Sequence, residues 1–347
     1  MRKLLILIAL LAVFTLPVNA LDITAPEVPH HIADIMPDSP ETFADGLRDL
    51  IKAIIAKLRP ELIDASKTCL SLFAATLLVS MLRPINGNLG KKTVELVCSL
   101  WIAVVLLQPT RSLINLGVET VNEMTEYGKL LLPVMTTALA AQGGITKSAA
   151  LYAGTAMFST VLSSFICTML IPMIYIFLAV SIANSAVGEE ILKKLRDFVK
   201  WITVWILKLG LYCFTGYMGL TGVISGTTDA AALKATKLAI SSAVPVIGGI
   251  LSDASETVLL SAGMVKNAAG IYGLLAILAI CLGPFVSIGI QHLLLKLTGA
   301  VCAVFAPKQA SDLITDFSAA MGLLLAATGT ICLMLLISTV CYMKGVA

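Results

Sequence analysis

The sequence predicts an all-α polytopic membrane protein with a cleavable signal peptide, about seven to ten transmembrane or re-entrant helices and an internal duplication with interfacial amphipathic helices. Hydrophobic residues make up 58% of the 347 residues and charged residues only 13%. In a soluble domain about a quarter of the residues are charged. The net charge of +3 is small and its basic residues are scattered, so they indicate membrane topology rather than nucleic-acid binding.

The first 20 residues have the pattern of a secretory signal peptide. A basic start precedes an apolar run over 4–16, and small residues lead up to a predicted cleavage after Ala20. An uncleaved anchor is the alternative. In either form the segment that follows is delivered to the extracytoplasmic side of the membrane.

Residues 21–60 are predicted to be an extracytoplasmic leader and an amphipathic helix. The leader is rich in proline and therefore extended, and Ser39-Pro40 has the pattern of a helix start. Apolar residues then recur at helical spacing from Phe43 to Leu58. The apolar face of this helix packs on the protein's own spans, on a membrane surface or on a partner.

Residues 61–110 are predicted to form a two-span hairpin. Its apolar blocks, 62–82 and 93–109, are joined by a short loop that carries three basic residues and no acidic one. The positive-inside rule places this loop in the cytoplasm, in agreement with a translocated N-terminus.

The remaining chain is predicted to be duplicated, with membrane repeat 1 at 111–227 and membrane repeat 2 at 228–347. The stretch 146–154 matches 265–273 at Lys, Ala-Ala and Gly, and a Tyr is displaced by one position. At the same offset the Asp-Phe pair that begins at Asp197 falls on another Asp-Phe pair.

Each repeat has the same predicted order of segments. A polar amphipathic helix, a short Pro-containing segment and a small-residue region precede a long apolar block that is broken at Pro172 or Pro284. A second amphipathic helix and a final span follow. Broken spans in duplicated units are typical of transporter-like folds, in which the breaks line a cavity. Simple helix packing through small residues is the alternative, and the sequence leaves open whether the repeats are parallel or inverted.

Two polar helical segments indicate opposite sides of the membrane. Residues 188–200 pair two glutamates with lysines four residues later beside one apolar stripe, which is typical of an interfacial helix on the cytoplasmic face. Residues 111–128 carry Glu119, Glu123 and Glu126 and are predicted on the outer side.

The candidate functional stretch is 245–270, where three ionisable residues stand among glycines and small hydroxyl residues between apolar blocks. Ionisable groups at membrane depth are costly unless they are paired, hydrated or facing protein. The stretch therefore predicts a polar gate or a partner contact, and a solvated loop is the alternative. If it is helical, its two carboxylates share one face. The candidate residues are Gly248, Gly249, Asp253, Glu256, Lys266 and Asn267.

No residue is predicted to be catalytic, to bind a cofactor or to bind a metal. The sequence has no glycine-rich nucleotide loop and no hydrolase or zinc-protease motif. Its eight cysteines lie in or beside apolar blocks, and its three histidines cannot make a closed zinc site. The sequence therefore predicts a protein that is not an enzyme.

A central run of the sequence resembles the stage III sporulation protein AE family of endospore-forming bacteria. The run begins at Pro245 and reads Pro-Val-Ile-Gly-Gly-Ile-Leu-Ser-Asp-Ala-Ser-Glu-Thr-Val-Leu, followed by Gly-Met-Val-Lys-Asn-Ala. The similarity extends over most of the chain, from the signal peptide through Ile-Ser-Gly-Thr-Thr-Asp at 224–229 to the C-terminal spans. No catalytic motif belongs to the family.

The resemblance implies a multipass protein of the mother-cell membrane around the forespore, within the engulfment apparatus. It implies a channel or secretion-like complex that is needed for late forespore gene expression and that includes the other subunits of the stage III sporulation complex and a separate ATPase. Membrane lipid and further copies of the chain are the other expected partners, whereas no nucleic acid and no cofactor are expected. The alternatives are a secondary transporter of a small solute and a non-conducting assembly scaffold.

Overall fold

The computed structural model describes residues 43–82, 88–188, 190–243 and 248–344, together with positions 26, 28, 29 and 32. Within these ranges the side chains at 43, 57–61, 82, 88–92, 94 and 221–266 lie outside the description. The predicted signal peptide and most of the leader, with its Ser39-Pro40 helix start, also lie outside the described residues.

Helices account for almost all of the described chain, and no strand occurs in those ranges. A π-helical turn, Ile166–Leu170, joins the third helix to the fourth. The helices are α1 (Phe43–Leu82), α2 (Asn88–Ala141), α3 (Ile145–Phe165), α4 (Ile171–Val187), α5 (Glu190–Ala243), α6 (Gly248–Cys302) and α7 (Lys308–Met343).

Six helical stretches in the described residues are long and apolar enough to cross a membrane. The prediction of an all-α polytopic membrane protein is therefore confirmed. Two of the stretches have 47 and 43 residues, about twice the 20 or so that one crossing needs. The number of crossings stays a prediction. The stretches are Leu62–Met81, Glu95–Ala141, Ile145–Val187, Glu190–Leu220, Asn267–Cys302 and Lys308–Met343.

The helices are longer than the predicted elements. The backbone of α1 continues through position 60, and α2 contains both Pro109 and Pro133. Likewise α6 contains Pro284 without a break, whereas Pro172 stands at the start of α4 beside the π-helical turn. A proline removes one backbone hydrogen bond, and packed neighbours make that loss tolerable. The boundaries or breaks expected at positions 60, 109 and 284 were therefore wrong, while the division into domains stays a prediction.

The last long helix, α7, lies at the centre of the bundle. It packs against α2, α3, α4, α5 and α6. Over its most apolar 18 residues 61% are buried, the highest share of the six candidate spans. The core of the described bundle is therefore built around α7.

The directions of the helices follow from contacts along α7. Helix α6 is antiparallel to α7, since His292 lies beside Ser318 near one end and Gly270 beside Met343 at the other. Helix α2 is parallel to α7, because Gly117 packs on Leu324 and a second such contact follows eleven positions later in both helices.

The segments that the sequence repeat pairs run in the same directions. Arg196 contacts Asp316 near the starts of α5 and α7, and Gly210 and Thr330 line one cavity further along, so these two helices are parallel. Helices α3 and α4 run opposite to α5, as α6 does to α7. A left-handed glycine, Gly188 with φ of 78°, ends α4 at the first of these hairpin turns. The paired segments are thus parallel rather than inverted, and the duplication itself stays a prediction.

One end of the bundle, which we name the basic end, holds the starts of α2, α5 and α7. The Ser185 hydroxyl at the end of α4 lies 2.8 Å from the Ser99 hydroxyl of α2 and 2.9 Å from the carbonyl oxygen of Gln309 in α7. This places the predicted cytoplasmic segments near 88–92 and 188–200 at the same end, as the positive-inside rule expects. The basic residues there include Lys193, Lys194, Arg196, Lys200 and Lys308.

Candidate functional site

The predicted polar gate lies mostly outside the described side chains. The backbone from Gly248 onwards is helical and belongs to α6, so a loop at 248–267 was the wrong alternative. Asn267 is described and its side chain is exposed. No side chain between Gly248 and Lys266 is described, including those of Asp253 and Glu256. Their role as a gate or partner contact stays a prediction.

The repeat-1 counterpart of Lys266 is Lys147, at the start of α3. Only 7% of Lys147 is exposed, and it lies near the C-terminal end of α7. Close by, the hydroxyl groups of Thr136 and Tyr342 are 3.0 Å apart. Gly270 of the second small-residue region also packs there, on Met343. The small-residue regions of both predicted repeats therefore meet at the end of the bundle opposite the basic end.

A buried ion cluster joins the two hairpins at the basic end. A guanidinium nitrogen of Arg196 lies 2.9 Å from a carboxylate oxygen of Asp316, and both side chains are 12% exposed. A second nitrogen lies 2.9 Å from the carboxylate of Asp197, which is 58% exposed. The two aspartates that the sequence repeat aligns thus share one arginine. The cluster fixes the register of α5 against α7.

The most distinctive surface is a polar stripe on α2, which we name the α2 polar face. Its seven residues follow one another at spacings of three or four, so they share one side of the helix, and all are exposed. From first to last they rise about 32 Å along the helix axis. They are Gln108, Arg111, Asn115, Glu119, Asn122, Glu126 and Lys129.

The depth of the α2 polar face follows from the register of α2 with α7. Gly117 packs on Leu324 and Gly128 on Leu335. The face therefore lies beside the part of α7 from about Phe317 onwards, where no charged residue occurs before position 344. A hydrocarbon layer about 30 Å thick that covers this apolar part of α7 also covers most of the face.

Another side of the bundle, on α3 and α4, has the usual lipid-compatible character. Helices α3 and α4 carry no charged residue between 148 and 188. The exposed side chains of α3 include Met157 and Val161, which are 56% and 62% exposed. The hydroxyl of Thr155 lies 2.5 Å from that of Ser338, so this surface is at the depth of the apolar part of α7. One side of the bundle is thus apolar and another polar at the same depth.

The π-helical turn lies directly beside the α2 polar face. The Cys167 sulfur in that turn lies 3.6 Å from the side-chain oxygen of Asn122. Turns of this kind occur frequently at functional sites, because they widen the helix locally and re-aim its side chains. This second irregular feature supports the α2 polar face as the candidate functional surface.

The arrangement on α2 is unfavourable against lipid. Insertion of a charged side chain near the bilayer centre costs about 2.5–3.5 kcal/mol by translocon scales. The face presents Arg111, Glu119, Glu126 and Lys129, together with two asparagines. It is therefore suited to contact water or protein. In the described residues no group of three or more His, Cys, Asp or Glu side chains could hold a metal ion.

Comparison with known proteins gives the family. The profile named Stage III sporulation protein AE matches residues 34–345. The chain belongs to the stage III sporulation protein AE family. It is 23% identical over 258 residues to Stage III sporulation protein AE of Bacillus subtilis (strain 168). That match covers 73% of this chain and spans 65% of the length of the curated relative. No solved structure matches the chain.

Membership of the stage III sporulation protein AE family confirms the resemblance drawn from the run at Pro245. Together with the six apolar helical stretches, it shows that the chain is a multipass membrane component of sporulation. The α2 polar face is therefore interpreted as a surface of a multipass membrane protein.

Sequence reasoning misses the α2 polar face in this member of the stage III sporulation protein AE family. It recognises Glu119, Glu123 and Glu126 but assigns them to a separate helix outside the membrane. In the structure they lie in the continuous helix α2, and Glu123 is partly buried. The polar spacing is visible in the sequence from Gln108 onwards. The depth of the α2 polar face in the membrane is not visible in the sequence, because it is set by α7 about 200 residues later in the chain.

Proposed function

We propose that the chain is an integral membrane subunit of a channel or secretion-like complex between the mother cell and the forespore. In this proposal it lies in the mother-cell membrane around the forespore, and the complex sustains late forespore gene expression. The observation that carries the proposal is the α2 polar face at a depth where α7 and α3 are apolar. Such a face needs water or protein against it.

The proposed partners are the other subunits of the stage III sporulation complex, a separate ATPase and further copies of the chain. A separate ATPase is in keeping with the lack of a nucleotide-binding loop in the sequence. No catalytic role is proposed for the chain, because the surface of interest offers polar contacts over about 32 Å rather than one convergent site.

Thiol labelling in sporulating cells tests whether the face is hydrated. In a cysteine-free version of the chain, Asn115→Cys and Asn122→Cys are expected to react with a membrane-impermeant thiol reagent supplied on one side of the membrane. Met157→Cys on the apolar side is the matched control and is expected to remain unlabelled. Equal labelling of the α2 polar face and of Met157→Cys would contradict the proposal. So would a lack of labelling at both sites whether or not the other subunits are present. Labelling that appears only when other subunits are deleted would favour a scaffold in which a partner covers the face.

Replacing the face by apolar residues tests its role in sporulation. The triple variant Asn115→Leu, Glu119→Leu, Glu126→Leu is expected to reduce heat-resistant spores by more than about tenfold, because an apolar surface neither holds water nor pairs with polar partners. The matched control is Met157→Leu with Val161→Leu on α3, which should sporulate normally. Chain levels in the membrane are measured by immunoblot for both. Normal sporulation of the first variant at normal chain levels would remove the α2 polar face from the mechanism.

A further inference from the structure

An aromatic ladder lies exposed on α5 near the basic end. The ring centroids of Phe198 and Trp201 are 6.2 Å apart, and those of Trp201 and Trp205 are 6.4 Å apart, with interplanar angles of 29° and 23°. Trp201 is 59% exposed and Trp205 is 52% exposed. Exposed tryptophans of membrane proteins concentrate at the level of the lipid headgroups. The ladder therefore marks the interface on the side of the basic end.

Two lysines share a groove with this ladder. Lys200 and Lys208 line a cavity of about 380 Å³ together with Trp201, Val204 and Trp205. Its size falls within the range of small-molecule sites. The groove therefore combines two ammonium groups with the faces and edges of two indole rings.

The one acidic residue that lines the groove is paired with Arg196. Asp197 lines the cavity, and its carboxylate accepts hydrogen bonds of 3.0 Å and 2.9 Å from Arg196. Arg196 also pairs with Asp316, so the charge of Asp197 is only partly compensated, and the two lysines still give the groove a net positive charge. A ligand with a negative charge fits this net positive charge.

The direction of helical side chains carries the ammonium group of Lys208 towards the basic end. Side chains of an α-helix tilt towards its N-terminus, which for α5 lies at the basic end. The aliphatic stem of Lys208 can therefore lie along the turn that contains Val204 while its ammonium group reaches towards the interface. The groove then presents cations at headgroup level and apolar surface below it.

We propose that this groove binds the headgroup of an anionic phospholipid. The phosphate would lie between the ammonium groups of Lys200 and Lys208, and the glycerol and upper acyl chains along Trp201 and Trp205. The cytoplasmic leaflet supplies such lipids, and basic residues beside a span attract them. The proposal does not depend on the α2 polar face or on a conduit, since the groove lies on another helix.

Fluorescence quenching by brominated lipid tests the proposal directly. The sequence has three tryptophans, so Trp101→Phe leaves Trp201 and Trp205 as the only two. The full chain with this substitution is reconstituted in phosphatidylcholine vesicles that contain either brominated phosphatidylglycerol or brominated phosphatidylcholine at the same mole fraction. Quenching is expected to show about a tenfold preference for phosphatidylglycerol at the Trp pair.

Charge variants decide whether the groove is responsible. Lys200→Gln with Lys208→Gln is expected to reduce the preference to about twofold. Lys296→Gln with Lys308→Gln removes two exposed lysines near the same end and should leave the preference unchanged. Circular dichroism and flotation with the vesicles confirm that each variant is folded and inserted. Equal quenching by the two lipids in the parent protein, or an equal loss in both variants, would overturn the proposal. Displacement of the lipid by millimolar inorganic phosphate would show that the ligand of the groove is a phosphate ion rather than the lipid.

Discussion

Asp316→Ala is expected to lower the free energy of unfolding by about 3–5 kcal/mol, because it leaves the Arg196 guanidinium buried without its main partner. The carboxylate of Asp316 is the largely buried acceptor of this cluster, at 2.9 Å and 12% exposure. It also holds the start of α7 against the start of α5. The loss is measured from the unfolding midpoint of the purified protein in detergent.

The same cluster provides its own control. Asp197→Ala removes the other carboxylate on Arg196, but that side chain is 58% exposed. A pair of this kind contributes about 0–1 kcal/mol, so the midpoint should hardly move. Arg196→Met combined with Asp316→Leu should be less destabilised than Asp316→Ala, because no buried unpaired charge remains and Asp197 is largely exposed. Equal midpoints for the Asp316 and Asp197 variants would show that the buried pair does not hold the two hairpins together.

Gly154→Leu is expected to destabilise the hairpin of α3 and α5 by about 1–3 kcal/mol or more, through overpacking. A Cβ atom at Gly154 would meet the ring of Tyr217, whose hydroxyl donates a 2.9 Å hydrogen bond to the carbonyl oxygen of Ala150. A leucine there forces the ring away and breaks this bond. The unfolding midpoint measures the cost.

Two further variants separate close packing from helix propensity. A Cβ atom added at Gly216 would meet no heavy atom within 4 Å, so Gly216→Leu should leave the midpoint nearly unchanged. Adding Tyr217→Ala to Gly154→Leu frees the space and should recover part of the loss. If Gly154→Leu and Gly216→Leu behave alike, the close approach of α3 and α5 at Gly154 is not needed for stability.

The fold class can be predicted from the sequence because the composition and length of an apolar block indicate whether a helix is surrounded by lipid or by water. The lengths of the helices cannot be predicted in the same way. A proline at position 60 or 109 predicts a helix boundary, yet α1 and α2 continue through both. The backbone hydrogen bond that a proline removes can be predicted from local sequence. The packing that compensates for this loss comes from residues far away in the chain.

The candidate site shows the same limit. The spacing of Glu119 and Glu126 predicts one polar side of a helix, since helical periodicity is a local property. Their place beside the apolar part of α7 depends on close contacts at Gly117 and Gly128, which no local pattern specifies. For the stretch with Asp253 and Glu256 the sequence predicts a helix only conditionally, and the structure confirms its helical backbone.

The central position of α7 has a consequence for biosynthesis. This helix leaves the ribosome after α1 to α6, yet five of them pack on it. Until it arrives, Arg196 lacks its carboxylate at Asp316 and Thr155 lacks the hydroxyl of Ser338. The earlier helices must therefore enter the bilayer with polar groups and a whole packing surface uncovered. Assembly of the bundle around α7 can therefore be completed only after the other helices have been synthesised.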